Sequence, residues 1–342
     1  MKGFILAAGF GKRLSPITES TPKPLLPVGN LPLIGYSLKL LAHHGINEVI
    51  INVHHHGKQI RDALGKGRNY GVKIIYSEED EILGTGGGLK RMYELLSEET
   101  FVVVNSDTII DVDLKQAINH HRYSGALATM VLRQDENQNE FGQIEVDATG
   151  RIRRILGQGA NSESLKAYMF AGVHILEPRF LDYIPLEVNT CINRYAYMKA
   201  LDNDEVLNSY IVDGYFADAG TPQRYFQANL DVLEQNVKLA HADPLAGFAI
   251  SPRRAVAEVV RMGKDVELSP GVNIVPPVLL GNGVRLAEGV RVGPYAILQD
   301  DVHVGHHAEL HHCIALKDAR IDAESEIAWQ LVSRKSSLPL GN

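Results

Sequence analysis

The sequence predicts an α/β domain with a mixed, mostly parallel sheet, followed by a short left-handed parallel β-helix. Two observations carry this expectation. Up to about residue 105, apolar runs of strand length alternate with segments whose apolar residues recur at helical spacing. That is the pattern of strands joined by crossover helices, a Rossmann-like arrangement. From residue 272 a six-residue period takes over. Val272, Val278, Val284, Val290, Ala296, Val302, Ala308 and Ile314 follow one another without a slip, each with an aliphatic residue two places on, from Ile274 to Leu316. Hexads of this kind wind a parallel β-helix whose coils stack their apolar corners. The expected division is 1–235 for the α/β domain, 236–270 for a connector, 271–319 for the β-helix and 320–342 for a C-terminal cap.

In chain order, Gly3-Phe4-Ile5-Leu6 reads as a buried first strand. Gly9 and Gly11 let the following turn close tightly and approach a ligand, and Lys12 and Arg13 add two cations. A Gly-rich turn after a strand, flanked by basic side chains, is an anion nest suited to a triphosphate. A P-loop is excluded, because Leu6 and Arg13 stand where Gly and Ser or Thr are required. A dinucleotide fingerprint is excluded because Leu14 takes the place of its third Gly. Further on, Thr21-Pro22-Lys23-Pro24-Leu25-Leu26-Pro27-Val28 holds Lys23 between prolines, which read as a stiff, extended arm.

Leu6-Ala-Ala-Gly-Phe-Gly-Lys-Arg-Leu14 followed by Thr21–Val28 resembles the N-terminal signature of the sugar-1-phosphate nucleotidyltransferases, the NDP-sugar pyrophosphorylases. The resemblance implies the nucleotidyltransferase fold and a nucleotide held by Leu6, Ala8, Gly9, Gly11 and Lys12. It also implies that Arg13 stabilises departing pyrophosphate, and that Lys23 holds the sugar phosphate or the α-phosphate.

Leu33 to His44 has helical spacing and stops at Gly45. Strands are expected over 48–53 and 72–76, with a helix over 58–64 between them. His54-His55-His56 falls in an extended loop, where neighbouring side chains point different ways; a solvated turn is expected rather than a metal site. The acidic, Gly-rich stretch from Tyr76 to Gly88 leads into a helix over 89–96. Alone it reads as a flexible loop. Its Leu-Gly-Thr-Gly-Gly resembles the family's base-holding loop, which implicates Gly84, Thr85 and Gly86, and Glu79 could accept hydrogen bonds from a base edge. Phe101–Asn105 is a buried strand that ends at Ser106-Asp107. Asp107 would cap a turn or face the crevice at the strand's carboxyl end; the matching family Asp is a Mg²⁺ ligand.

Residues 115–185 read as the sugar half. Glu140-Phe141-Gly142 resembles the family's aromatic-Gly step beside the sugar, and Gly172 interrupts the strand 170–176 where a ring could approach the backbone. The usual Glu-Lys-Pro triplet is replaced by Ile155-Leu-Gly-Gln-Gly159, and Lys166 is the candidate substitute for its lysine. That departure also leans toward members acting on N-acetylmuramate or heptose 1-phosphates. Tyr215-Phe-Ala-Asp-Ala-Gly-Thr-Pro222 matches the motif whose Asp is the second Mg²⁺ ligand, here Asp218. Thr221 and Pro222 would open a helix from Gln223 to about Gln235.

His303, His306, His307, His311 and His312 lie in the repeats, mainly at turns, in a helix of under three coils. Some hexapeptide proteins are acyltransferases with a His base; a subunit-contact or stability role is the expectation here, with a homo-oligomer formed through the β-helix. A formal charge of −7 argues against nucleic acid or an anionic membrane as partner. No apolar run reaches the length of a membrane span, and two cysteines make no disulfide framework, so a cytoplasmic setting is expected. The implied reaction joins an NTP and a sugar 1-phosphate into an NDP-sugar and pyrophosphate with Mg²⁺, foremost GTP with mannose 1-phosphate. The alternatives are uridylyl transfer to a glucose- or N-acetylmuramate-type sugar phosphate, and a non-catalytic paralogue that binds nucleotide sugars.

Overall fold

The computed structural model describes residues 1–135, 143–159, 164–250 and 259–341. Gly142, with Glu140 and Phe141, lies outside the described residues. The chain forms two compact units. One holds Met1–Gly9, Leu33–Phe216 and Ala240–Ala242; the other holds Phe10–Pro32, Ala217–Leu239 and Asp243–Asn342. The arm with Lys23 and the helix after Asp218 therefore group with the β-helix, not with the sheet. Among the described residues no helix is long and apolar enough to cross a membrane.

The first unit is built on strands β1 (Lys2–Leu6), β2 (Glu48–Val53), β3 (Lys73–Glu78), β4 (Phe101–Asn105), β5 (Ala128–Arg133), β6 (Gln143–Val146), β7 (Ile152–Ile155), β8 (Lys166–Leu176) and β9 (Leu207–Ile211). Strands β3, β2, β1 and β4 lie side by side and parallel, in that order. Their near-continuous apolar runs follow from burial on both faces: Phe4, Ile5, Ile50, Ile51, Val103 and Val104 are all fully buried. Helices α1 (Leu33–His43) and α2 (Gly57–Leu64) make the crossovers. The order reverses between β1 and β4, and in such sheets the crevice beyond the strands' carboxyl ends at that point is where ligands bind. Beyond β4 the sheet turns antiparallel: β8 pairs with β4 over its last residues and with β6 over its first, and its other edge takes β5.

Strand β8 carries His174, 1% exposed, its Nδ1 2.9 Å from the Tyr197 hydroxyl. Burial pushes this imidazole down to about 3, so it is neutral in the folded state near pH 7. Between the unfolded value near 6.5 and the folded one, the unfolded chain binds the extra proton. The stabilisation is therefore complete above pH 6.5 and is lost as pH falls, at roughly 1.4 kcal/mol per unit. Urea midpoints read by circular dichroism from pH 8 to 4 are expected to decline below 6.5, and His174→Gln is expected to remove about one proton from that slope. An unchanged slope would refute the assignment.

In the second unit three strand columns stack in parallel. One runs through Val260–Met262, Val278–Leu280, Ala296–Leu298, Cys313–Ala315 and Gln330–Val332. The second runs through Glu267–Leu268, Arg285–Leu286, His303–Val304 and Arg320–Ile321. The third runs through Asn273–Ile274, Arg291–Val292, Glu309–His311 and Glu326–Ala328. This is the left-handed β-helix, and it is longer than the sequence suggests. Its rungs extend from Val260 to Val332, past both ends of 271–319, where under three coils were expected.

The hexad also slips twice, at 311–312 and again near Trp329, where Ile314 pairs with Leu331 only 17 residues on. Ala296 pairs with Cys313, 17 residues on, where 18 is the repeat. After Leu310 the interior is lined by Cys313, Ala315, Ala319 and Ile321, not by Ile314 and Leu316. Ile314 belongs to an outward column, Leu279–Ile297–Ile314–Leu331, that is also buried, which is why the apolar period persists across the first slip. His307 and His312 occupy corners with positive φ, and His312 stacks on Trp329 at 4.4 Å.

Candidate active site

In the first unit the carboxyl ends of β1, β2 and β3 are tied together by polar side chains. Past the end of β1 at Leu6, the Ala7 N–H donates to Asn52 Oδ1 at 2.8 Å, and Asn52 Nδ2 donates to Glu79 Oε1 at 2.7 Å. Glu79 Oε2 accepts the Leu83 N–H at 2.9 Å. Asn52 and Glu79 are 2% and 5% exposed. Glu79 is thus a brace between the first turn and the Gly-rich loop, each of its oxygens accepting one bond. Asn52 was not anticipated. Its only trace in the sequence is one amide near the end of an apolar strand.

The Gly-rich loop opens helix α3 (Gly84–Arg91), five residues earlier than expected. Its glycines are required by the backbone of 188–190. A Cβ on Gly84, at φ +70°, would lie 2.7 Å from the Thr190 carbonyl, and one on Gly87 would lie 2.5 Å from that of Val188. Gly86 N–H donates to Thr190 O at 2.7 Å, and Thr85 Oγ1 accepts the Ile192 N–H at 2.9 Å. Ala8 is buried and Gly9 exposed, with open space where a Cβ would stand.

After β4 the turn Asn105-Ser106-Asp107 is fixed by Ser37, whose hydroxyl donates to the Asn105 carbonyl at 2.8 Å, and Asp107 is half-buried. Gly172 lies in the bulge of β8 at φ +82°, where a Cβ would stand 2.9 Å from Thr108 Oγ1. The glycine is thus dictated by the neighbouring turn as well as by its φ. Lys166 starts β8, exposed and six residues from Gly172, about 20 Å along an extended strand. The structure does not bring these two together.

In the second unit the turn continues through Gly11, at φ +65°, whose Cβ would lie 3.0 Å from Thr18 and 3.1 Å from Lys23 Cβ. Lys12 and Arg13 are exposed and follow in a short 3₁₀ turn anchored by the fully buried Leu14. Lys23 is 8% exposed and opens a further 3₁₀ turn, Lys23–Leu25, so the arm is coiled rather than extended at the lysine itself. The arm is clamped further along: Tyr225 Oη donates to the Pro27 carbonyl at 2.5 Å, and Asn30 N–H donates to Pro244 O at 2.9 Å. Burial raises the Tyr225 pKa and keeps its hydroxyl a donor.

Asp218 precedes helix α6 (Pro222–Leu233; α4 is Leu114–Ser124 and α5 Tyr197–Asp202). Thr221 caps α6 as expected, its Oγ1 accepting the Arg224 N–H at 3.3 Å. Between them Gly220 is hemmed in by two functional groups. A Cβ there would stand 2.5 Å from Asp218 Oδ1 and 2.8 Å from an Arg13 guanidinium nitrogen. Two motifs some 200 residues apart therefore place a carboxylate and a guanidinium around one glycine.

These elements define an α/β protein with a cationic Gly-rich turn after its first strand, a carboxylate behind its fourth, and a β-helix. The chain belongs to the nucleotidyl transferase family, whose family model matches residues 2–235. A UTP–glucose-1-phosphate uridylyltransferase of Synechocystis sp. is 34% identical over 251 residues, covering 70% of this chain and 65% of that protein. A mannose-1-phosphate guanyltransferase of Candida albicans is 33% identical over 230 residues, covering 66% and 62%. The match thus spans a little under two thirds of these two relatives. A mannose-1-phosphate guanylyltransferase of Mycobacterium tuberculosis is 28% identical over 282 residues, covering 79% and 77%. The crystal structure of HddC from Yersinia pseudotuberculosis shares the fold, with a TM-score of 0.57 at 22% identity over 67% of this chain and 98% of that one.

Proposed function

We propose that the chain transfers a nucleoside monophosphate from an NTP to a sugar 1-phosphate, giving an NDP-sugar and pyrophosphate. A phosphate oxygen of the sugar attacks the α-phosphorus, the bond to the β-phosphate bridge breaks, and pyrophosphate leaves with the electron pair. The nucleophile is already an anion, so the reading needs no general base. What the protein supplies is alignment and charge. The gathering of Arg13 and Asp218 around Gly220 is the observation that carries this reading. Arg13 would stabilise the departing pyrophosphate, and Lys23, on its clamped arm, the sugar phosphate.

Asp107 and Asp218 are hard oxygen donors that fit Mg²⁺, which usually takes one or two carboxylates plus substrate phosphates. Among the described residues no three His, Cys, Asp or Glu side chains gather as a self-sufficient site, so substrate oxygens would complete the coordination. When bound, the ion would neutralise phosphate charge.

GTP with mannose 1-phosphate is the first pairing, in line with the guanylyltransferase relatives. UTP with glucose 1-phosphate is the second, favoured by the similar identity of the Synechocystis protein. Assembly of copies through the β-helix belongs to the same reading. Pyrophosphate release from the four NTPs against a panel of sugar 1-phosphates tests it: one NTP and one sugar are expected to stand at least tenfold above the rest, and no release from any pair would refute it. Gly220→Ala is expected to lower kcat about tenfold or more, by displacing Asp218 and Arg13. Because both are ends of flexible side chains, stability should move by no more than about 0.5 kcal/mol. An early-melting variant with full specific activity would contradict that.

A further inference from the structure

Asn52, which no motif of the sequence singles out, stands where three elements of the first unit meet. It lies near the carboxyl end of β2, the strand between β1 and β3, and is 2% exposed. Its amide is used on both sides. Oδ1 accepts the N–H of Ala7, the first residue past β1, at 2.8 Å, and Nδ2 donates to Oε1 of Glu79, the first residue past β3, at 2.7 Å. The neighbours dictate this orientation, because a backbone N–H only donates and a carboxylate only accepts. Glu79 passes the link on: its Oε2 accepts the N–H of Leu83, one residue before α3, at 2.9 Å.

Glu79 is itself held in place. Its N–H donates to the Val53 carbonyl at 2.9 Å, its own carbonyl lies 2.8 Å from His54 Nδ1, and the residue is 5% exposed. Helix α3 rests directly on the pair. A Cβ on Gly88 would stand 2.7 Å from Glu79 Oε1 and 2.8 Å from Asn52 Nδ2, so the glycine leaves room for the two side chains to meet. Three buried hydrogen bonds thus run in series from Ala7 through Asn52 and Glu79 to Leu83. Such a series, fully satisfied, rigidifies what it joins.

What it joins are the first turn, proposed to hold the phosphates, and the Gly-rich loop, proposed to hold the base. A nucleotide that spans both binds more tightly when their separation is fixed beforehand than when binding must order it. We infer that Asn52 is a positioning residue for the NTP. It acts through Ala7 and Glu79, not on the substrate, and sets the distance between the phosphate turn and the base loop. This role rests on the nucleotidyl-transfer reading of the site.

The network has a mirror solution that tests it. With Asn52→Asp and Glu79→Gln together, the new carboxylate accepts from the Ala7 N–H and from the new amide, whose oxygen accepts the Leu83 N–H. All three bonds survive, the middle one reversed. Each single change breaks the series. Asn52→Asp sets two buried carboxylates against each other, and Glu79→Gln turns an NH₂ group toward either the Asn52 amide or the Leu83 N–H.

Steady-state pyrophosphate release is measured with the NTP and sugar 1-phosphate pair that the parent turns over fastest. Each single variant is expected to raise KM for the NTP about tenfold or more, and KM for the sugar 1-phosphate by less than about threefold. The double variant should recover at least about fivefold of that loss. Asn52→Ser, which adds no charge, should raise the same KM about threefold or more, and it carries the test if Asn52→Asp does not fold. A parent that releases pyrophosphate while Asn52→Asp or Asn52→Ser keeps its KM for the NTP would overturn the inference alone. So would a double variant no better than the worse single one, or losses confined to Tm, which mark a merely structural brace. A parent that releases pyrophosphate from no pair overturns the nucleotidyl-transfer reading and this role with it.

Discussion

Val292→Asp is expected to leave little or no soluble, folded β-helix. Val292 is fully buried inside the coil, between Ile274 on one rung and Leu310 on the next. The change removes roughly 2 kcal/mol of apolar burial. It also demands either a buried carboxylate, at several kcal/mol, or one kept protonated by the interior. A loss on the order of 5 kcal/mol or more rivals the whole net stability of a domain. Trp329 is the only tryptophan and lies within the coils, so its emission reports on this unit directly. His306→Ala, at an exposed turn, should stay within about 0.5 kcal/mol of the parent. A Val292→Asp protein with unchanged emission and melting would mean the rung register is wrong.

Much of the fold was legible because its signals are local. The runs Phe4–Ile5, Val49–Ile51 and Val102–Val104 are apolar because their strands are covered on both faces. The Thr221-Pro222 start of α6 needed only two adjacent residues. What escaped depends on contacts between distant parts of the chain. Asn52 braces Ala7 and Glu79, 45 and 27 residues away, and a single amide in a strand does not announce its partners. The glycines of 84–87 read as ligand loop, yet much of their requirement comes from the backbone of 188–190, some hundred residues on. The slip at 311–312 was hidden because Ile314 is apolar for a different reason, its place in the buried outward column. Period alone cannot tell an interior column from an exterior one.

The two carboxylates proposed as Mg²⁺ ligands carry the second large effect. Asp107 follows β4 in the first unit, and Asp218 stands beside Gly220 and Arg13 in the second. If both serve one ion on the phosphates, Asp107→Asn and Asp218→Asn keep size and fold but remove the charge. Each should lose on the order of 3 kcal/mol of transition-state stabilisation, roughly a hundredfold in rate. Groups that act as a unit are grossly non-additive when removed together. The most direct test is therefore kcat for pyrophosphate release in both single variants and the double, at saturating Mg²⁺, NTP and sugar 1-phosphate. The shared-ion account predicts a double variant within about tenfold of the worse single one; two losses that multiply, or a single variant with parental kcat, would contradict it.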